Sequence, residues 1–154
     1  MAMESLYDHV GGAEAIHRLE EVFYAKVLVD PQLHRLFPER VSTHVDHLTA
    51  FTSETFGGPD AFSRDLGFQY LIDIHRGLKI TEEERQRFVE LYLEAATEVG
   101  FPDDPPFRQA FLEHLDFGSR VAMQNSNAET DDQLHPLRHV PKWTWPEESG
   151  SHPA

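Results

Sequence analysis

The sequence contains no cysteine, and this absence removes several kinds of chemistry. Disulfides, iron–sulfur clusters, thiolate-bound metals and cysteine nucleophiles all require a thiol, so none of them can operate in this chain. The lack of disulfides is compatible with a reducing compartment, and we expect a cytoplasmic protein. Residues 1–5 have no basic start and no long apolar run, so we do not expect them to act as a signal peptide.

Basic residues are also scarce, and apolar runs are short. The chain has 13 Lys and Arg residues against 27 Asp and Glu residues, which gives a formal net charge of −14. This charge repels nucleic acid and anionic lipid surfaces, so we expect no nucleic-acid partner. No segment reaches the roughly 18 consecutive apolar residues that a membrane span needs. The 154 residues are enough for one domain with a substantial core.

What the sequence does contain is helical periodicity over most of its length. Between Gly12 and Asp30, apolar residues recur at steps of three and four, which predicts an amphipathic helix. Thr81, followed three residues later by Glu84, predicts a capping box at the start of a long helix. No stretch alternates as a strand would, so the predicted fold class is all-α.

The composition becomes polar and rich in proline from about Ala128. We therefore predict one helical domain over residues 1–127 and a flexible polar tail over residues 128–154. Trp143 and Trp145 are the exceptions in this tail, and either could dock it onto the domain.

Several common sites lack the residues that they require. A di-iron bundle needs two Glu-x-x-His pairs, but only Glu14-Ala15-Ile16-His17 fits. His44 and His47 have the one-turn spacing of zinc ligands, but no further ligands accompany them in sequence. No Gly-rich phosphate loop and no Gly-x-Ser-x-Gly motif is present. We predict none of these sites.

His75 is the most informative residue of the chain. It lies in a short, mostly apolar segment, residues 70–78, with no catalytic companion beside it. His44 lies one turn before Leu48 on the apolar side of the preceding predicted helix. Haem iron is commonly held by a neutral imidazole on one side, with a weakly occupied position on the other and apolar packing on the porphyrin, so the pair predicts a haem pocket. The alternative interpretation of both His75 and His44 is a hydrogen-bonded histidine in the protein core.

A set of short motifs occurs in a fixed order along the chain. They are Val10-Gly11-Gly12, Phe23-Tyr24, Asp30-Pro31, Leu36-Phe37-Pro38, the helix with His44 and Leu48, Phe56-Gly57-Gly58-Pro59, His75 and Asn125-Ser126. By this ordered set, the chain resembles the truncated haemoglobins and is most similar to group II of that family. The resemblance covers residues 7–127 and implies a globin-like two-over-two helical sandwich that clasps haem b, iron protoporphyrin IX.

The resemblance also implies roles for individual residues. His75 is the expected proximal iron ligand, and the Tyr24 hydroxyl is expected to point at the bound ligand. His44 matches the distal position, where it either donates a hydrogen bond or ligates the iron itself. The alternative for Tyr24 is a core tyrosine bonded to a backbone carbonyl. The predicted catalytic pair is Tyr24 and His44, and the predicted cofactor contacts are Phe37, His44, His47, Leu48, Leu71, His75, Arg76, Leu78, Lys79 and Phe88.

Four positions depart from the pattern of the family. At one of them, His44 supplies a donor where many relatives have a small residue. Phe88 and Phe56 stand where tryptophan is usual or frequent, and Phe88 cannot donate the ring N–H that a tryptophan would offer. Ile74 stands where an arginine would reach a haem propionate. The predicted substitutes for that arginine are His47, Arg76 and Lys79.

The predicted function is reversible binding of O2, NO and CO, as in oxygen transport, with nitric oxide dioxygenation as a further activity. The sequence has no flavin or nicotinamide motif, so such an enzyme would need an external reductase. One alternative is a peroxidase-like haem enzyme that uses His44 as acid–base catalyst. Another is a haem-based sensor that binds a partner through the tail tryptophans. The expected assembly is a monomer or homodimer.

Overall fold

The computed structural model describes residues 4–39 and 41–146, and within these ranges every regular element is helical. The helices are α1 (Leu6–Val10), α2 (Gly12–Val29), α3 (Val41–Thr55), α4 (Ala61–Asp65), α5 (Phe68–His75), α6 (Glu82–Glu98) and α7 (Pro105–Asn127), with 3₁₀ turns at His34–Leu36 and Asp131–Gln133. The predicted all-α class is confirmed. No helix of the described residues is long and apolar enough to cross a membrane.

The helices form two packed pairs. Helix α2 lies against α3 and α6, and α6 lies against α7. The rings of Phe23 on α2 and Tyr92 on α6 stack with their centroids 3.6 Å apart, which joins the two pairs at the centre. A second aromatic group, Phe56, Phe107 and Phe111, fills the end near α1. Burial of these large side chains stabilises the fold.

The turn after α2 is fixed by Asp30. Its Oδ2 accepts hydrogen bonds from the backbone N–H groups of Gln32 (3.0 Å) and Leu33 (3.1 Å). Its Oδ1 accepts from Arg87 Nε on α6 at 2.8 Å. The chain therefore leaves α2 in one direction and carries Phe37 back toward the interior.

The glycines after α3 allow a close approach to α1. The backbone N–H of Tyr7 donates to the Phe56 carbonyl at 2.9 Å. A Cβ atom at Gly58 would lie 2.5 Å from the Tyr7 ring, so only glycine fits there without displacement. Gly57 has a φ of 90°, which favours glycine and ends α3.

The predicted capping box of α6 is confirmed. The Glu84 N–H donates to Thr81 Oγ1 at 3.2 Å, and the Thr81 N–H donates to Glu84 Oε1 at 3.0 Å. This reciprocal pair satisfies two N–H groups that a helix start would otherwise leave without partners.

The segment after α7 lies on the helices in its described part, residues 128–146, which differs from the expectation of a flexible tail. Leu137, Val140 and Trp143, spaced by three residues, are buried. The backbone N–H of Trp143 donates to the Thr55 carbonyl at 2.6 Å, and the ring Nε1 of Trp145 donates to the Glu4 carbonyl at 2.7 Å. Residues 147–154 of the predicted tail lie outside the described residues. Burial of the three apolar side chains offsets the entropy cost of ordering the segment.

Candidate haem-binding site

A cavity of about 490 Å³ lies among α3, α5, α6 and α7 and is lined mainly by apolar side chains. Its size is within the range of about 300–1,000 Å³ that is typical of small-molecule and cofactor sites. The predicted site residues that line it are Tyr24, Phe37, His44, His47, Leu48, Leu71, His75, Leu78 and Phe88. Arg76 and Lys79 are not among the lining residues.

His75 is the last residue of α5 and lines the cavity. Its Nδ1 lies 2.8 Å from the Leu71 carbonyl oxygen. Because a carbonyl can only accept, Nδ1 carries the proton and Nε2 keeps the lone pair that a metal requires. Burial lowers the pKa of His75, which favours the neutral imidazole.

The chain after His75 is held by the end of α7. The carbonyl of Ser126 accepts from the N–H groups of Gly77 (3.1 Å) and Lys79 (3.2 Å). The Ser126 hydroxyl oxygen accepts from the Ile80 N–H at 2.9 Å. Ser126 of the Asn125-Ser126 motif therefore has a physical role, because it fixes the segment that follows the candidate ligand.

The predicted cationic residues of this segment have other contacts. Arg76 forms an ion pair with Asp131 at 2.6 Å. Lys79 is exposed and has a φ of 53°, and its carbonyl accepts from Arg35 at 3.3 Å. A role for Arg76 and Lys79 with haem propionates stays a prediction.

Tyr24 is fully buried, and its hydroxyl donates to the Pro38 carbonyl. This is the alternative partner that the sequence left open, although the tyrosine also lines the cavity. Burial raises the pKa of Tyr24 to about 12, so the phenol stays neutral and keeps its proton. The hydroxyl must leave Pro38 before it can donate to a ligand. Its ring lies nearly parallel to that of His44, with centroids 6.0 Å apart.

His47 is the other imidazole on the α3 side of the cavity, 6.3 Å from His44 between ring centroids. Its Nδ1 shares a hydrogen bond of 3.0 Å with the hydroxyl of Tyr70 on α5. Tyr70 also lines the cavity, and sequence reasoning missed it. The signal was weak, because a lone tyrosine in an apolar segment is typical of any core.

Sequence reasoning also missed a buried carboxyl group behind the wall of the cavity. Glu20 on α2 is fully buried and accepts from the hydroxyl of Tyr92 on α6 and, at 2.8 Å, from Thr52 Oγ1 on α3. Burial raises the pKa of Glu20 to about 7. The available signal was a glutamate one turn after Ile16, on the apolar stripe of α2.

These features fit haem. One neutral imidazole opens onto a cavity with apolar and aromatic walls, as an axial ligand to a porphyrin iron requires. The polar groups of the opposite wall are few, and most of them are hydroxyls or imidazoles that can donate to a small ligand. The site and the fold together define a globin-like haem pocket.

Comparison with known proteins agrees. The family model of bacterial-like globins matches residues 5–125. A crystal structure of haemoglobin from Chloroflexus aurantiacus is 30% identical, with a TM-score of 0.70, and the match covers 79% of this chain and 98% of that one. The group 2 truncated haemoglobin YjbI of Bacillus subtilis is 24% identical over 77% of this chain and 88% of its own length. The group II truncated haemoglobin of Bacillus anthracis shares the fold at 22% identity, with a TM-score of 0.73 over 86% of this chain and 99% of that one.

The chain belongs to the bacterial-like globin family, and its similarity is to the truncated haemoglobins of that family. The predicted resemblance and the predicted two-over-two sandwich are both confirmed. Membership of the family implies haem-based binding of gas ligands.

Proposed function

We propose that the protein holds haem b in this cavity, where His75 Nε2 would ligate the iron, and that it binds O2, NO and CO reversibly. The observation that carries the proposal is the state of His75: its Nδ1 proton is directed at the Leu71 carbonyl oxygen, 2.8 Å away, and the half-buried side chain lines a mainly apolar cavity. A hydrogen bond of this kind fixes the tautomer and orientation of a metal-ligating histidine.

When bound, the haem would supply reversible gas binding and, with an electron from an external reductase, oxidation of nitric oxide by oxygen to nitrate. The protein supplies the rest. The apolar lining excludes water and favours neutral ligands, and the clamp on the segment after His75 keeps the imidazole in place.

The opposite wall would supply hydrogen-bond donors to a polar ligand. We assign this role to Tyr24 and His44, which line the cavity beside one another. A net hydrogen bond is worth about 1 kcal/mol, or about a fivefold change in a dissociation rate. For Tyr24 the gain is reduced by the loss of its bond to Pro38.

The haem propionates require polar partners at the edge of the cavity. We assign His47 to one of them, because its ring is oriented by Tyr70 and lines the cavity. Arg76 and Lys79 are assigned the second role, which Arg76 could take only by giving up its pair with Asp131.

The absorption spectrum of the purified protein after addition of haem tests the central proposal. We expect a Soret band and a five-coordinate ferrous spectrum that converts to an oxygenated one in air. Lack of a Soret band would overturn the proposal. A six-coordinate ferrous spectrum without added ligand would make His44 a second iron ligand.

Rapid mixing of the oxygenated protein with nitric oxide tests the enzymatic part. We expect fast formation of ferric protein and of one nitrate per haem. Slow oxidation, or nitrite as the main product, would restrict the function to reversible binding.

A further inference from the structure

A buried carboxyl group joins the two helix pairs directly behind the wall of the gas-binding cavity. Glu20 lies on α2, and its two oxygens accept from hydroxyls on two other helices, Tyr92 on α6 and Thr52 on α3. Both of these hydroxyl-bearing residues line the cavity, but Glu20 does not. A group that does not reach the cavity therefore decides where two of its hydroxyl protons point.

The number of donors that face the cavity depends on the proton count of Glu20. An ionised carboxylate only accepts, so it can hold both hydroxyl protons at once. A protonated carboxyl group donates one hydrogen bond, so one of the two hydroxyls must accept it. The proton of that hydroxyl then turns away from Glu20 and becomes available on the cavity side.

We propose that Glu20 is a positioning residue that sets how many hydroxyl donors this wall offers to a polar gas ligand. The inference rests on the proposed haem site and deepens it. With Glu20 ionised, Tyr92 and Thr52 are both held away from the cavity, and with Glu20 protonated, one of them is released to donate.

The location of the network supports this role. Phe88, one turn before Tyr92 on the same helix, lines the cavity without any donor. Its ring packs edge-on against Tyr92 with centroids 5.1 Å apart. Tyr92 therefore places a hydroxyl beside a part of the wall where Phe88 offers no donor.

Glu20 can change its charge under ordinary conditions. Burial raises the pKa of Glu20 to about 7, and the bonds from Tyr92 and Thr52 oppose this shift only in part. Burial and the Glu20 charge raise the pKa of Tyr92 well above its usual value, so Tyr92 keeps its proton. Glu20 has two hydrogen-bond partners among the described side chains. Thr52 on α3 does not titrate, so Tyr92 on α6 is the one titratable partner.

Other titratable groups line the same cavity and must be separated from Glu20 in an experiment. They are Tyr24 on α2, His44 and His47 on α3, Tyr70 and His75 on α5, Glu84 and Arg85 on α6, and His114 on α7. A pH profile of the unaltered protein alone cannot assign an effect to Glu20, so the test depends on a substitution.

The oxygen-release rate of the haem-loaded protein, compared with the carbon monoxide release rate, is the first readout. As the pH is lowered from about 8.5 to about 6, Glu20 becomes protonated and one hydroxyl is freed, so we expect the oxygen-release rate to fall by about fivefold. The release rate of the less polar carbon monoxide should change little. Glu20→Gln has one acceptor and one donor, like the protonated acid. We therefore expect this variant to release oxygen at the slow rate at both pH values.

Glu54→Gln is the matched control. Glu54 is also buried, lies on α3 and accepts from the Ser63 N–H at 2.8 Å, but it does not line the cavity. We expect this variant to keep the pH dependence of the unaltered protein. Tyr92→Phe and Thr52→Val identify which hydroxyl is released. The substitution that removes this hydroxyl should abolish the slow oxygen release at about pH 6.

Infrared difference spectra of the haem-free protein provide a second readout. We expect a protonated carboxyl band that grows as the pH falls through about 7 and that is missing in Glu20→Gln. A Glu20→Gln variant that binds haem but keeps the unaltered pH profile would overturn the inference alone. Equal shifts for oxygen and carbon monoxide would do the same. Lack of a Soret band would overturn the haem site itself.

Discussion

The candidate iron ligand on α5 and the hydroxyl groups that α2, α3 and α6 bring to the opposite side of the cavity are held by different kinds of hydrogen bond. On α5, the imidazole of His75 has one hydrogen-bond partner among the described residues, a backbone carbonyl in its own helix. On the other side, Tyr24, Thr52 and Tyr92 come from three helices and bond to groups far away in sequence. The first arrangement allows one tautomer and one ligand. The second contains hydroxyls whose protons can be redirected.

The difference shows how one scaffold can hold a cofactor firmly and still adjust its ligand chemistry. A bond within one helix persists as long as the helix does, and the clamp by Ser126 supports it further. A hydroxyl network across helices responds to charge and to ligands, because each member has more than one possible partner. We expect substitutions on the two sides to differ in kind: loss of cofactor on one, altered ligand preference on the other.

The largest expected effect is that of His75→Ala. The cavity would keep its shape but lose its only assigned iron ligand, so we expect haem affinity to fall by about 100-fold or more. Transfer of haem to an acceptor apoprotein, followed at the Soret band, measures this. Added imidazole should restore part of the five-coordinate spectrum.

His17→Ala is the control for that experiment. His17 lies on the outer side of α2, within 3.3 Å of Glu21 and 3.5 Å of Asp46, and it does not line the cavity. We expect its haem affinity to be unchanged. An unaltered ferrous spectrum in His75→Ala would contradict the assignment of the ligand.

The next effect concerns stability and pH. The pKa of Glu20 is about 7 in the folded protein against 4.5 for an exposed glutamate, so the folded state binds more protons between these values. Its stability therefore falls as the pH rises from 4.5 to 7. At ~1.4 kcal/mol per pKa unit, this one group accounts for about 3 kcal/mol.

Urea unfolding of the haem-free protein across this pH range measures the effect. Glu20→Gln cannot ionise, so its stability should not fall with pH on account of this residue. The unfolding free energy of the variant should therefore increasingly exceed that of the unaltered protein as the pH rises. A constant difference would contradict the raised pKa of Glu20.

A smaller effect is expected for Tyr24→Phe. Because the hydroxyl must leave the Pro38 carbonyl before it can donate to a ligand, we expect oxygen release to become faster by no more than about fivefold, the value of one ordinary net hydrogen bond. Flash photolysis or rapid mixing with oxygen and carbon monoxide measures the two rates. An equal change for both ligands would indicate a steric role instead of hydrogen bonding.

The smallest effect is expected for Phe88→Trp. This change adds a ring N–H donor to the apolar part of the wall, next to Phe23 and Tyr92, whose rings lie 5.3 and 5.1 Å away. Crowding offsets part of the gain, so oxygen release should slow by about two- to threefold. Faster release would show that the tryptophan displaces the ligand instead of donating to it. Phe88→Leu separates the donor from ring size.

Much of the fold could be predicted from the sequence because its signals are local. The capping box needs only Thr81 and Glu84, three residues apart, and the structure confirms it. The isolated His75 in an apolar segment and the ordered motifs around it indicated the family, which the match over residues 5–125 confirms. Such patterns depend on neighbours within one helical turn or on spacing along the chain.

The segment after α7 shows where composition misleads. Residues 128–146 are polar enough to predict flexibility, but Leu137 and Trp143 find apolar surface on the helices and reach the cavity. No local rule gives the position of that surface, since it is formed by helices earlier in the chain.

The sequence by itself determined the helical class, the lack of thiol chemistry and the candidate iron ligand, because each of these depends on residue type and local spacing. Only the tertiary structure decided that Tyr24 donates to Pro38 and that Glu20 lies buried between two hydroxyls. Glu20 is separated from Thr52 by 32 residues and from Tyr92 by 72. The charge of a buried carboxyl group is set by its solvation and its partners, and both exist only after the helices have packed.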